Sequence, residues 1–433
     1  MTDNSTPFAS CATAADVADV LDQKADDSEI SQAFATAIAA YAITVAGTST
    51  YADGAYTISN LNDGYYLVSS TSVPTDGAYT RYILKLVGDS EVDTKSDVPS
   101  VDKNIIENNN EVKVNDVNIG DTITYELTAT LPSNYGDYDT YYLAFHDTFD
   151  AGIDAPKNFT VKVGDTEIDS TKYNLTTNDN SFVLTISDLK TADSTATKDS
   201  KVTVTYESEL NSNAVIGGTG NVNTVYLEYS NNPNKDNADS KGKTPDHKVV
   251  TFTYELDITK VDSDNTETKL AGAEFTLKNA DGKFYTATAS DGVYKVTGLT
   301  ADNASATTFV SDANGSIKIQ GLNVGTYTLT ETKAPDGYNL LSNSIEVVIS
   351  ATYQDNDGVN NIDTLSATVD NVAATTDKTA GTVSLTVENN SGSILPSTGG
   401  IGTTIFYIAG GLLIVAAAIM LIVRKHKKDA QNS

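Results

Sequence analysis

The sequence has no tryptophan, one cysteine, two methionines, three histidines and nine prolines in 433 residues. A single cysteine, Cys11, excludes an intramolecular disulfide framework. Its setting, Ala-Ser-Cys-Ala-Thr, offers no basic neighbour to lower the thiol pKa, which favours a buried or tolerated thiol over a reactive one. His146, His247 and His426 are far apart, so neither a metal cluster nor a serine–histidine–aspartate constellation is visible. No metal and no cofactor is expected. Positive charge is also scarce, with 28 Lys and Arg against 58 Asp and Glu, a net charge of −30. Such a surface repels nucleic acid and anionic lipid and suits a solvated exterior protein. The acidic stretches at Asp262–Asp264 and Lys235–Asp239 lack the glycine and closing glutamate of a calcium loop, so they read as solvated loops.

Long apolar runs are missing too, with one exception. Ile405–Val423 is uncharged and long enough to cross a bilayer as a helix, and Arg424, Lys425, Lys427 and Lys428 follow it at once. The basic cluster stays on the cytoplasmic side, which places everything before the run outside the cell. Just ahead of the run stands Leu395-Pro396-Ser397-Thr398-Gly399. Met1-Thr-Asp-Asn-Ser opens without the basic and apolar regions of an export signal, so the expectation is a start that is either truncated or mis-assigned, with part of the first domain missing.

Threonine, valine, asparagine, aspartate and tyrosine abound, a composition of strands joined by polar turns. Residues 1–98 differ from the rest. Apolar residues recur at helical spacing in Ala14–Leu21 and Ile30–Tyr41, and strand patterns follow at Tyr56, Gly64–Val68 and Tyr82–Val87. From residue 99 onward the period is two: Ile123, Tyr125, Leu127, Ala129 and Leu131 alternate with polar residues, as do Val202, Val204 and Tyr206. Asn231–His247, rich in Asn, Asp and Lys, reads as an exit linker. The strand pattern then resumes to Asn390. The expected fold is mainly β, with tandem Ig-like β-sandwich domains, a mixed α+β N-terminal domain and a C-terminal transmembrane helix. The expected boundaries are 1–98, 99–248, 249–393 and a tail of 394–433 with its helix at 405–423.

The order of motif, apolar span and basic stop resembles the cell-wall sorting signal of Gram-positive surface proteins. That resemblance implies cleavage by a sortase between Thr398 and Gly399, with membrane contact before sorting and peptidoglycan attachment after it. Thr326-Tyr-Thr-Leu-Thr-Glu-Thr-Lys-Ala-Pro-Asp-Gly-Tyr338 resembles the YxLxETxAPxGY box of pilins and of collagen-adhesin B-type domains. Leu256-Asp-Ile-Thr-Lys-Val-Asp262 and Val387-Glu-Asn389 match the first-strand lysine and last-strand asparagine of such domains. The resemblance implies an isopeptide bond between Lys260 and Asn389 with Glu331 as catalyst. Asn390 is the rival for Asn389, although the phase of Val387 favours Asn389. Independently of the family, Lys260 shares the phase of Leu256 and Ile258, so it points where core residues point. A buried lysine can be a neutral nucleophile, and a buried carboxylic acid can stay protonated.

Residues 99–248 resemble the other isopeptide-forming domain of pilin shafts. Pro99–Ile105, Phe145–Ile153 and Gly220–Pro233 carry its three motifs, which implies Lys103 as nucleophile, Asp147 as buried acid and Asn223 as amide partner. Asn221 and Asp150 are the alternatives. The chain therefore resembles a major pilin, a structural subunit that is not an enzyme, located in the Gram-positive wall. Its implied partners are sortase, neighbouring pilin subunits, peptidoglycan and host surface ligands. Shaft pilins use the lysine of a YPK motif as sortase acceptor. No YPK occurs here, and Lys95 holds the comparable linker position. The alternative is a monomeric wall-anchored adhesin that binds host matrix or glycan.

Overall fold

The computed structural model describes residues 13–23, 44–52, 55–92, 97–233, 240–356 and 359–392, together with Cys11, Ala35 and the pair 419–420. Lys95, the Leu395–Gly399 motif and nearly all of the apolar run 405–423 lie outside the described residues, as does most of the second expected helix. Among the described residues no helix is long and apolar enough to cross a membrane.

In the N-terminal region the helix Ala14–Asp22 starts at a capping box. The Thr13 side chain accepts from the Asp16 amide, and Asp16 accepts from the Thr13 amide. Two hairpins follow, Thr50–Ala52 with Ala55–Thr57 and Gly64–Ser69 with Arg81–Leu86. Main-chain bonds tie this region to the next: the Tyr79 amide donates to Asn231 (2.7 Å) and the Lys243 amide to Thr75 (2.8 Å).

The middle domain is a sandwich of two sheets. The first runs in the order Thr166–Glu167, Lys157–Val163, Lys201–Glu209, Thr122–Thr130, Ser100–Glu107, Asn110–Val112. The second runs Asn174–Asn178, Ser181–Ile186, Leu143–Phe149, Asn221–Ser230, His247–Phe252, Val114–Asp116, with Lys241–Lys243 added beside Asn221–Ser230. Alternation puts Ile123, Tyr125, Leu127, Val202, Val204, Phe145, Leu184 and Val225 in the shared core. The expected exit linker is different in the structure. Lys241–Lys243 and His247–Phe252 are strands of this sandwich, because Val249, Val250 and Phe252 bury their side chains while His247 and Lys248 face out. The domain thus reaches Phe252, and Thr253 alone separates it from the next strand.

The third domain is built on a twelve-stranded sheet. Its first strand, Tyr254–Asp262, pairs antiparallel with Ser316–Leu322 and parallel with its last long strand, Thr382–Asn389. The box strand Gly325–Lys333 lies between Glu274–Lys278 and Ile345–Asn356.

The middle and third domains share a polar seam. Asp116 accepts from the Val324 amide and the Tyr353 hydroxyl, each at 2.6 Å. Asn118 accepts from Tyr285 (3.0 Å) and from the Asn323 amide (3.2 Å). The Phe252 and Tyr353 rings stack at 5.6 Å. Gly217 and Gly381 meet backbone to backbone across the seam, so closely that a Cβ on Gly217 would lie 2.3 Å from the Gly381 Cα.

Candidate functional site

Each sandwich buries one lysine, one carboxylic acid and one asparagine together. In the middle domain Lys103 comes from the first sheet, while Asp147 and Asn223 come from neighbouring strands of the second, with Asp147 registered opposite Val225. All three have no exposed surface. Lys103 is in phase with the buried Val101 and Ile105, Asp147 with Phe145 and Phe149, and Asn223 with Val225, so inward phase carries these polar groups into the core. Once there they need one another, since an unpaired buried charge is very costly.

Lys103 Nζ donates to Asp147 Oδ2 and, at 3.0 Å, to the Tyr206 hydroxyl. Tyr206 in turn donates to Asp147, 3.3 Å from each oxygen, and accepts from Asn223 Nδ2 at 2.8 Å. Asn223 Oδ1 has no hydrogen-bond partner among the described residues. Burial pulls the Lys103 amine down to about 8, against the attraction of Asp147. Burial likewise pushes the Asp147 carboxyl up to about 6. Both shifts favour the neutral forms, an amine beside a carboxylic acid.

The two alternatives are engaged elsewhere. Asn221 is fully buried but brackets the loop before it, accepting from the Val215 amide (2.9 Å) and donating to the Val215 and Thr251 carbonyls. Asp150 is exposed and accepts from the Val222 amide.

In the third domain Lys260 and Asn389 lie on adjacent parallel strands, with Lys260 opposite Val387 and Asn389 opposite Asp262. Both are completely buried, and Glu331 is 5 % exposed. Lys260 Nζ donates to the Val387 carbonyl at 2.9 Å, and burial lowers its amine to about 8. Asn389 Nδ2 donates to Glu331 Oε2 at 3.0 Å and also to the Asn339 carbonyl. The Leu341 amide donates to the same Glu331 oxygen at 2.9 Å. Glu331 Oε1 and Asn389 Oδ1 have no partner among the described residues. Asn390 is exposed and accepts from the Ser263 hydroxyl, outside the cluster.

Sequence reasoning missed three contributors. Tyr206 looked like one more core residue in a Val-Val-Tyr alternation. Asn339 follows the box and holds the Asn389 amide through its carbonyl. Tyr338, the last residue of the box, donates to Asp262 (2.8 Å) and pins the box to the lysine strand. A tyrosine in an inward phase that also carries lysine and aspartate on other strands was the available signal for Tyr206.

Residues 254–363 match the SpaA family, described as a prealbumin-like fold domain, and residues 388–430 match the LPXTG cell wall anchor motif. The chain is 27% identical over 391 residues to the trypsin-resistant surface T6 protein of Streptococcus pyogenes serotype M6, covering 79% of this chain and 71% of that one. The solved T6 backbone pilin of serotype M6 S. pyogenes shares its fold, with a TM-score of 0.58 and 20% identity over 84% of this chain and 88% of that one. The full-length major pilin SpaD from Corynebacterium diphtheriae does so with a TM-score of 0.51 and 22% identity, covering 80% of each chain. An anchor motif, a prealbumin-like domain and similarity over most of its length to the T6 protein mark the chain as a wall-anchored Gram-positive surface protein whose fold is shared by solved backbone pilins.

Proposed function

We propose that this chain is the shaft subunit of a covalent pilus, whose middle and third domains lock themselves with Lys103–Asn223 and Lys260–Asn389 isopeptide bonds. Its working units are an N-terminal domain through residue 98, a middle domain from 99 to the end of the Phe252 strand, a third domain to 393, and a sorting tail from 394. The observation that carries the reading is the repeated burial of lysine, acid and asparagine in two sandwiches of different topology. One such cluster is expensive to bury and gains little in stability; two in tandem call for a chemical reason.

The chemistry balances without a cofactor. The neutral lysine nitrogen attacks the asparagine Cγ, the Cγ–Nδ2 bond breaks, and ammonia leaves. The acid takes a proton from the attacking nitrogen and returns one to the departing nitrogen, so it ends unchanged. In the third domain Glu331 touches the amide directly. Folding supplies the proximity that an enzyme would otherwise provide.

At the tail, sortase cuts between Thr398 and Gly399 and passes the new carboxyl group to an amine of the next subunit or of the wall. Lys95 is the proposed subunit acceptor. Wall extracts from cells carrying the chain and its sortase should show a high-mass ladder, and Lys95→Ala should collapse it to a single species. A normal ladder from Lys95→Ala removes Lys95 from the account. One discrete species from the unaltered chain removes the shaft reading and leaves an adhesin that stands alone and meets host surface ligands as a monomer.

A further inference from the structure

The two clusters are wired differently. In the third domain the acid reaches the asparagine directly, Glu331 Oε2 to Asn389 Nδ2 at 3.0 Å. In the middle domain the hydrogen bonds of Asp147 go to Lys103 and Tyr206, and the bond of Asn223 Nδ2 within the cluster goes to Tyr206. The phenol oxygen is the one atom bonded to all three groups. It accepts from Lys103 (3.0 Å) and Asn223 (2.8 Å) and donates to Asp147, which fills the capacity of a hydroxyl: two bonds accepted and one donated.

We propose that Tyr206 is a catalytic residue of the middle domain, relaying the proton from Asp147 to the departing nitrogen of Asn223. This rests on the isopeptide reading above. Before attack, Asn223 Nδ2 is a planar amide nitrogen that can only donate. Once Lys103 has added to Cγ, Nδ2 is a tetrahedral amine with a lone pair, and its bond to Tyr206 reverses. The protonated Asp147 gives its proton to the Tyr206 oxygen as Tyr206 gives its own to Nδ2, and the carboxylate so formed takes the proton that the Lys103 nitrogen sheds. Ammonia then leaves, the Cγ carbonyl reforms, and both Tyr206 and Asp147 are restored. Burial holds the phenol well above its ordinary pKa, so it passes a proton without persisting as phenolate.

The ring is fixed independently of the hydroxyl. It stacks on Tyr125 at 5.1 Å and on Phe159 at 5.4 Å, and meets Phe182 edge-on at 5.0 Å. Tyr206→Phe therefore keeps the packing and deletes the relay.

The experiment is a time course of intact mass and cross-linked peptides for the full chain made in a cell-free system. The third-domain bond in the same molecule reports folding and assay performance. Tyr206→Phe should form Lys260–Asn389 at the normal rate and Lys103–Asn223 slower by roughly 100-fold or more, the range of a lost proton-transfer group. A second chain carries 3,5-difluorotyrosine at position 206 only, which keeps the hydroxyl and makes it more acidic. Its middle-domain rate should differ from that of tyrosine while its third-domain rate should not. Formation of the middle bond at the normal rate in Tyr206→Phe overturns the relay alone, as does a rate indifferent to fluorination. An unaltered chain that never forms Lys103–Asn223 overturns the isopeptide reading of this domain and the relay with it.

Discussion

Lys260 and Asn389 sit on the first and last long strands of the third domain, and those strands run side by side and parallel. A bond between their side chains would join the two ends of the domain at the place where tension enters and leaves. Tension along the fibre would then load a covalent link and bypass the ladder hydrogen bonds of the intervening strands.

Removing either bond should cost stability well beyond the buried amide itself. A cross-link closing a loop of order 100 residues restricts the unfolded chain by about 5 kcal/mol in the chain-entropy model. Asn389→Ala and Asn223→Ala should each lower the melting temperature of their own domain by on the order of 10 °C, measured by scanning calorimetry. Unchanged transitions in both would show that the lysines are not linked.

The rate of middle-domain cross-linking should be bell-shaped in pH. The reactive form, a neutral Lys103 beside a protonated Asp147, carries one proton on the pair, as does the ion pair with which it interconverts. With the amine lowered to about 8 and the carboxyl raised to about 6, the one-proton state prevails between about pH 6 and pH 8. Rates followed by intact mass should fall on both sides of that window. A rate that climbs steadily to pH 10 would mean that the acid plays no part.

In Asn223→Ala the pair stays buried and cannot be consumed, so it should report on stability directly. Between about pH 8 and 10.5 the unfolded chain keeps a Lys103 proton that the folded chain has released, so stability rises with pH through that window. Between 3.8 and about 6 the folded chain holds the Asp147 proton more tightly, so the contribution of that group falls as pH rises. Urea unfolding of this variant should therefore show its middle domain gaining stability from pH 8 to pH 10. A loss over that range would contradict the assigned burial of Lys103.

Asn221→Ala should still cross-link. Its side chain serves the Val215 loop, and its loss should cost about 1–3 kcal/mol through unpaired backbone groups. Peptide mapping that loses the Lys103 link in Asn221→Ala, with the domain folded, would reassign the amide partner.

At the seam, Asp116→Ala strips the acceptor from both Tyr353 and the Val324 amide. Small-angle scattering should then show a broader distribution of interdomain distances than in the unaltered protein. An identical profile would mean that the seam is held by the Phe252–Tyr353 stack and the Gly217–Gly381 contact instead.

Much of this was readable in the sequence, for a physical reason. A strand has period two, so Lys260 in phase with Leu256 and Ile258, and Asn389 in phase with Val387, declared their burial before any coordinates. The relay through Tyr206 did not, because a hydroxyl's partners depend on which strands face one another across a sandwich. The strand His247–Phe252 was obscured by the polar run ahead of it. Its membership in the middle domain follows from pairing with Asn221–Ser230, a long-range choice that composition does not express. The seam was equally hidden, since Asp116 and Asn118 look like ordinary turn residues until Tyr353 and Tyr285 are brought to them from more than 160 residues away.

The central claim is most directly tested by the intact mass of the chain ending at Thr398, followed by peptide mapping. The account predicts a mass lower than that of the sequence by two ammonia molecules, with cross-linked peptides joining Lys103 to Asn223 and Lys260 to Asn389. A mass equal to that of the unmodified sequence would contradict it and leave both buried clusters without a reaction.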